Sequence, residues 1–338
     1  MRNYRNFLKI FFGIVIIALL IYLLRKIDLY EIYLVFRQTN PLFFIPAFFA
    51  YSLSFLVFSL RTMYFLKWVV KPDWWFFLKV TFAGSFINTI TPGAQIGGEP
   101  VKAYYLGKKH NKPVSKVFGA VSADRFFHGF ISFLFIVFSM IYLLAFISLP
   151  SGLRLFFQIF VLLTFMGFTV IFLYLLVKTR FDFKNLFKKF KWLSWANPIN
   201  LGKKWKKFTG KNVSNFTSSF KKTLTNRRAI VFGTLFSLIY WGLNYLSFYF
   251  LFLSFGTKVN FFLIIVVVSL ANLMGDFSPT PGGVGLTEGV TVFLYSILGV
   301  NFSLALLVAI VSRAIFYFHS LLMGGISLAY LESIFGKE

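Results

Sequence analysis

Apolar residues in this chain come in long blocks, not at the one-sided spacing of helices that face water. Measured against the ~20 residues a helix needs to cross a bilayer, the pattern predicts spanning helices at 11–24, 42–66, 116–149, 153–177, 229–255 and 303–331. The run Phe11 to Leu24 follows Arg2, Arg5 and Lys9, as in a signal peptide. Arg25 and Lys26 come next with no small-residue cleavage site, which predicts a retained anchor helix. Two further apolar stretches, 76–91 and 261–280, stop at Thr91-Pro92-Gly93 and at Pro279-Thr280-Pro281-Gly282-Gly283. Short helical stretches follow each break, at 98–107 and 285–299. The expected elements are six spanning helices and two hairpins, eight helical membrane units in an all-α polytopic membrane protein.

Composition agrees. Hydrophobic residues make up 58%, charged residues 13%, and the mean hydropathy is +0.76, more apolar surface than a soluble core can bury. The absence of cysteine excludes disulfides, thiolate metal sites and cysteine nucleophiles. The net charge of +25 is concentrated, because residues 178–228 hold 15 Lys/Arg against Asp182 alone. Phe187, Phe190, Trp192, Trp195, Trp205 and Phe208 interleave with these basic residues. That mixture suits amphipathic helices on an anionic leaflet, where each Lys or Arg contributes roughly 1 kcal/mol, rather than a nucleic-acid arm.

Charge bias sets the expected topology. Loop 178–228 and the basic N-terminus belong to the cytoplasmic side by the positive-inside rule. Counting crossings from either side puts Lys67 and Lys71 on that face. Lys102, Lys108, Lys109, Lys112 and Lys116 join them, so the segment from about 72 to 112 enters and leaves on one side. Counting forward, helix 229–255 runs outward to Lys258, segment 261–299 is a hairpin from the outer face, and helix 303–331 returns. The expectation is a multi-pass protein of the cytoplasmic membrane with both termini inside.

The two hairpins also match in sequence. Pro92-Gly93 precedes Glu99 and Pro281-Gly282 precedes Glu288, seven residues from proline to glutamate in both. Asn88 and Asp276 stand four and five residues before the prolines; Arg125 and Arg313 stand 26 and 25 residues after the glutamates. Charge parity makes the units 42–149 and 229–331 opposite in orientation, joined by helix 153–177 and the basic loop within one membrane domain. Inverted repeats with broken helices are a recurrent transporter plan, because two pseudo-symmetric halves can exchange inward and outward conformations. Backbone freed at Pro92, Gly93, Gly97, Gly98, Pro281, Gly282, Gly283 and Gly285 must be buried in protein or line a wet cavity.

Charges inside a membrane cost ~2.5–3.5 kcal/mol or more, so they are paired and often functional. Two readings stay open for Glu99, Arg125, Glu288 and Arg313, and both can hold at once. They are salt bridges that lock each hairpin to its long helix, or they line a polar chamber whose arginines take a phosphate or carboxylate and whose acids take an amine or a proton. Asn88 and Asp276 join the candidate substrate-binding set. Asp124 and Arg125 are neighbours on one helix, so only one need face the chamber. The helix starts near Gly97 and Gly285 offer N–H groups that favour an anion. His128 and His319 lack metal-ligand spacing and read as core or interface histidines. No catalytic motif, metal set or cofactor motif stands out.

The stretches Asn88-Thr-Ile-Thr-Pro-Gly-Ala-Gln-Ile-Gly-Gly-Glu99 and Pro279-Thr-Pro-Gly-Gly-Val-Gly-Leu-Thr-Glu288 resemble the two signature segments of the flippase-like family. This is the family of the transmembrane region of lysylphosphatidylglycerol synthases, and the resemblance spans residues 5–333. It implies a lipid translocase that moves an anionic or zwitterionic phospholipid, or a lipid-linked head group, between leaflets. The positions carried over are Pro92, Gly93, Gly97, Gly98, Glu99, Arg125, Pro281, Gly282, Gly283, Gly285, Glu288 and Arg313. The soluble aminoacyl-transferring domain of the bifunctional synthases has no counterpart here, so this chain is not expected to aminoacylate lipid. The alternatives are an intramembrane lipid-modifying enzyme with Glu99 and Glu288 as acid and base, and an accessory subunit of a lipid or glycan synthase. Membrane lipids, a homo-oligomer or a synthase are the expected partners, and nucleic acid is not.

The topology makes a labelling prediction. In this cysteine-free chain, single cysteines near Lys109 and near Lys207 react with impermeant thiol reagents only from the cytoplasmic side, and one near Lys258 only from outside. External labelling near Lys109 would overturn the parity count.

Overall fold

The computed structural model describes residues 39–71, 73–91, 97–148, 151–177 and 203–335. The expected anchor helix 11–24, Pro92 and Gly93 lie outside the described residues. Every regular element described is a helix: α1 Pro41–Leu66, α2 Trp74–Ile90, α3 Gly98–Lys109, α4 Val114–Phe146, α5 Ser151–Val177, α6 Lys203–Leu224, α7 Arg227–Ser254, α8 Phe261–Asp276, α9 Leu286–Ile297, α10 Phe302–Tyr317 and α11 Gly324–Phe335. A π-helical stretch, Phe318–Met323, joins α10 to α11. Among the described residues, four helical segments are long and apolar enough to cross a membrane: α1, α4, α7 and the continuous Phe302–Phe335.

Polar caps start these helices where water or the head-group layer is expected. Asn40, Asn226, Asn260 and Asn301 each accept a hydrogen bond from a backbone N–H one turn into α1, α7, α8 and α10. Asp73 caps α2 in the same way and pairs with Lys109 at the far end of α3, closing the base of the first hairpin. The hydrogen bond from Lys109 holds the Asp73 carboxyl below its usual range. The hairpin arms are short: at 1.5 Å per residue, the 17 residues of α2 reach about 25 Å and the 12 of α3 about 18 Å. The 16 residues of α8 and 12 of α9 repeat this. None matches the ~30 Å hydrocarbon core.

The chain forms two compact units. One comprises residues 137–214, with the end of α4, all of α5 and the beginning of α6. Its α4 segment buries Met140 and Leu143 and carries the ring pair Tyr142–Phe146. The larger unit, up to Ile136 and from Asn215, holds both hairpins. There α1 and α7 lie side by side and antiparallel. The Asn40 N–H donates to the Ser254 carbonyl (2.6 Å) and the Ser247 hydroxyl to the Ala47 carbonyl (2.8 Å). Farther along, Arg61 reaches Ser237 and Phe65 lies against Gly233. The leading helices of the two sequence-matched segments therefore run in opposite directions, as charge parity requires. Small residues permit the approach: Ala47, Ser54, Gly233, Ser237 and Ser247 keep the backbones close.

The end of α2 meets the second break. Thr89, near the end of α2, touches Gly282 of the second break, where a Cβ would come within 3.1 Å of the Thr89 carbonyl oxygen. Gly282, Gly283 and Gly285 all have positive φ, at +60°, +74° and +84°, which residues with a side chain rarely adopt. The first break uses glycine differently. Gly97 has an ordinary φ of −62°. At Gly98 a Cβ would fall 2.1 Å from the Gly84 carbonyl oxygen, so glycine is needed for contact between α2 and α3. At Gly97 and Gly98 the constraint is space, not backbone angle.

The basic stretch 178–228 contains α6, whose Phe216 and Phe220 pack on Phe118 and Phe126 of α4. Ser219 and Thr223 are buried, whereas Lys221 and Lys222 are exposed. This helix is amphipathic, whereas Phe187, Phe190, Trp192 and Trp195 of the interleaved stretch lie outside the described residues.

The antiparallel pairing is directly testable. Cysteines replacing Tyr64 and Phe232, whose rings lie 5.0 Å apart, cross-link with a short bismaleimide. Tyr64→Cys with Phe250→Cys, about 27 Å farther along α7, does not. The reverse pattern would mean parallel leading helices and no inverted pair.

Candidate functional site

A cavity of about 440 Å³ lies within the larger unit, lined by α1, α2, α3, α4, α7, α8, α9 and α10. Tyr51, Phe55 and Phe58 of α1 and Tyr240, Trp241 and Asn244 of α7 border it, so it sits half-way along the antiparallel pair. Of the residues singled out in the sequence, Asn88, Arg125, Asp276, Glu288 and Arg313 line it. Glu99 stands just behind, 4% exposed, at the start of α3.

The two halves present their charges in related ways. In the second, the Arg313 Nε of α10 donates to Glu288 Oε1 of α9 at 2.5 Å and its Nη2 donates to the Gly282 carbonyl at 3.0 Å. Glu288 Oε2 accepts the Gly285 N–H at 2.7 Å. One ion pair thus fixes the break, the short helix and the long helix together. In the first half the geometry is looser. Arg125 Nε of α4 and Lys102 Nζ of α3 both stand 3.9 Å from Glu99 Oε1. Both expected carboxylate–arginine pairs are present, the second tight and the first shared with a lysine.

Two readings of the sequence are revised by this geometry. The helix starts near Gly97 and Gly285 do not leave all their N–H groups for a ligand: Gly98 N–H donates to Asn88 Oδ1 (2.6 Å), and the anion at the start of α9 is the chain's own Glu288. Asn88 consequently ties α2 to α3 as well as lining the cavity. Lys102, counted above as a marker of the cytoplasmic face, is 3% exposed and turned inward to the cavity. Lys108, Lys109, Lys112 and Lys116 carry that vote without it. Lys102 follows Glu99 by one helical turn and faces the same way, a relation that the neighbouring lysines mask in the linear sequence.

Arg61 escaped the sequence reading. It stands six residues before Lys67 and so resembled the basic flank of a span. It is 1% exposed. Its Nε donates to Asp124 Oδ1 (2.9 Å) and its Nη1 to His128 Nδ1 (2.7 Å) and the Ser237 hydroxyl (3.3 Å). Thr62 donates to the other Asp124 oxygen at 2.8 Å. Asp124 therefore points away from the cavity and its neighbour Arg125 toward it, as adjacency on one helix requires. The buried cluster ties α1, α4 and α7 together.

Three cations (Lys102, Arg125, Arg313) and two acids (Asp276, Glu288) thus line one chamber, with Glu99 and the Arg61–Asp124 pair buried behind it. Asp276, the last residue of α8, borders it as well. Among the described residues no cluster of three or more His, Asp or Glu has the arrangement of a metal site. The chamber can hydrogen-bond and charge-pair with a polar group of either sign, between aromatic side chains of α1 and α7.

Comparison with known proteins agrees with the hairpin signatures. The family model described as the lysylphosphatidylglycerol synthase TM region matches residues 10–324. A UPF0104 membrane protein of Pyrococcus horikoshii is 28% identical, over 95% of this chain and 96% of its own length. One from Methanothermobacter thermautotrophicus is 26% identical, over 98% and 97%. Another, from Methanocaldococcus jannaschii, is 25% identical over 94% and 93%. With nearly its whole length matched and both glycine-rich breaks in place, the chain belongs to the lysylphosphatidylglycerol synthase transmembrane-region family.

Proposed function

We propose that this protein is a lipid translocase, in which a phospholipid or lipid-linked head group crosses between leaflets through the charged chamber while its acyl chains stay in the hydrocarbon. The single observation that carries this reading is the chamber's position: a polar cavity half-way along the antiparallel pair, lined by both halves. Nothing in a simple anchor calls for buried charges at that depth. Arg125, Lys102 and Arg313 suit the phosphate of an anionic or zwitterionic lipid, and Glu288 and Asp276 suit an amine or a proton. The contact between Thr89 and Gly282 supplies a junction that opens and closes when one half rocks against the other. On this reading no bond is made or broken in the lipid, no cofactor is required, and the cytoplasmic membrane houses the protein with both termini inside.

The test is purification, reconstitution into liposomes and measurement of head-group-labelled phosphatidylglycerol and phosphatidylethanolamine moving from one leaflet to the other. Wild-type protein speeds this movement well above protein-free vesicles. Glu288→Gln, which keeps an acceptor for the Gly285 N–H, inserts and purifies normally but loses about tenfold or more of the rate. If Glu288→Arg combined with Arg313→Glu restores full activity, the pair is a brace and the substrate assignment falls. If lipids are chemically altered in the same vesicles, the protein is an enzyme instead.

A further inference from the structure

The two membrane histidines use their ring nitrogens differently. His319 has both engaged: Nδ1 donates to the Ile315 carbonyl at 2.8 Å, and Nε2 lies 2.8 Å from the Ser52 hydroxyl. Its ring stacks on Phe55, and this is a structural histidine. His128 has Nδ1 2.7 Å from Arg61 Nη1. A guanidinium only donates, so Nδ1 must accept, and the ring's proton belongs on Nε2. Trp241, parallel at 4° and 5.6 Å, fixes the plane, with Tyr240 and Phe58 packed edge-on. His128 lines the cavity, and among the described residues its Nε2 has no hydrogen-bond partner.

The surroundings of His128 on α4 extend the pattern. Arg125, His128, Gly129 and Ser132 all line the cavity, at i, i+3, i+4 and i+7. A Cβ at Gly129 would meet nothing within 4 Å. A strip about 10 Å long thus presents a guanidinium, an imidazole N–H and a hydroxyl, with open space where a side chain would otherwise project.

We propose that His128, held by Arg61 as the neutral Nε2–H form, is a hydrogen-bond donor to a phosphoryl oxygen of the lipid head group, beside Arg125 and over the space left by Gly129. This rests on the reading of the chamber as a head-group path. Arg125 supplies charge to the phosphate, whereas His128 supplies direction without adding a cation. Asp124 acts through Arg61 as the positioning residue for the ring.

Two measurements test this. The first is nitrogen NMR of 15N-histidine-labelled protein in nanodiscs of phosphatidylglycerol or of a phosphate-free glycosyl diacylglycerol. The His128 signal, identified by its loss in His128→Gln, shows the Nε2–H form, and His319 the Nδ1–H form. The Nε2–H signal of His128 moves in phosphatidylglycerol relative to glycolipid. An Nδ1–H form, an imidazolium, or identical signals in both lipids overturns the proposal, and an equal shift on adding inorganic phosphate to glycolipid discs overturns the lipid as the ligand. The second is transport. His128→Phe, which keeps the stack on Trp241, raises the half-saturating lipid fraction roughly tenfold, the loss expected for a hydrogen bond to a charged group. His128→Gln, which keeps an N–H near Nε2, recovers most of it, and Gly129→Leu blocks movement without lowering folded yield. Normal transport in both His128→Phe and Gly129→Leu overturns the proposal while leaving translocation standing. A wild-type protein that moves no lipid but shows the phosphatidylglycerol-dependent shift removes translocation and leaves the binding role.

Discussion

A guanidinium buried in hydrocarbon has to meet an acid, and the architecture of this protein follows from satisfying that requirement. Arg61 meets Asp124, and Arg313 meets Glu288. Removing one partner of such a buried pair typically costs about 3–5 kcal/mol, because the remaining charge is stranded. Each pair spans different helices: the first binds α1 to α4, and the second binds the short α9 to α10. Apolar packing alone gives helices little reason to choose partners in lipid, since lipid tails are as apolar as leucine. These charges, with the small residues along α1 and α7, supply that choice.

The two pairs nevertheless differ in what they leave over. Arg61 and Asp124 are almost wholly enclosed, and their remaining hydrogen bonds go to Thr62, Ser237 and His128. The pair at the second break is partly open to the chamber, with side-chain exposures of 15% for Arg313 and 19% for Glu288. Glu99 is divided between Lys102 and Arg125 at distances longer than a hydrogen bond. A closed pair stabilises the fold; on the proposed function, a loose or open one takes an incoming phosphate or amine. That proposal gives the structural reading to the Arg61–Asp124 pair and the binding reading to the pairs at the breaks.

Much of this was legible in the sequence. Block length marked α1, α4, α5, α7 and the α10–α11 span within a few residues, and glycine–proline breaks marked both hairpins. The spacing of Glu99 to Arg125 and of Glu288 to Arg313 foretold two real ion pairs, and charge bias foretold the opposed directions of α1 and α7. Three features were not legible, each for a physical reason. Arg61 lies near a basic flank, so linear position could not separate a buried guanidinium from an interfacial one. Lys102 sits among cytoplasmic lysines, and only the turn of α3 brings it inward. The roles of the two histidines depend on which atoms stand opposite each ring nitrogen, a property of packing between α1, α4 and α7 for His128 and between α1 and the π-helical stretch for His319. The glycines showed the same divide: motif reading found them all, but only geometry separated the positive-φ turn at Gly282 and Gly283 from the close approach at Gly98.

On the proposed function, the chamber between the two halves is a wet, lipid-accessible site and not a closed seam of braced charges. Its most direct measurement is the reactivity of Gly129→Cys toward a small charged methanethiosulfonate in lipid nanodiscs, with the buried Ala123→Cys and the exposed, apolar-flanked Phe138→Cys as references. Modification is rapid at position 129, slowed by raising the fraction of phosphatidylglycerol, and negligible at 123 and 138 if the chamber is such a site. Position 129 reacting as slowly as the two references would contradict it.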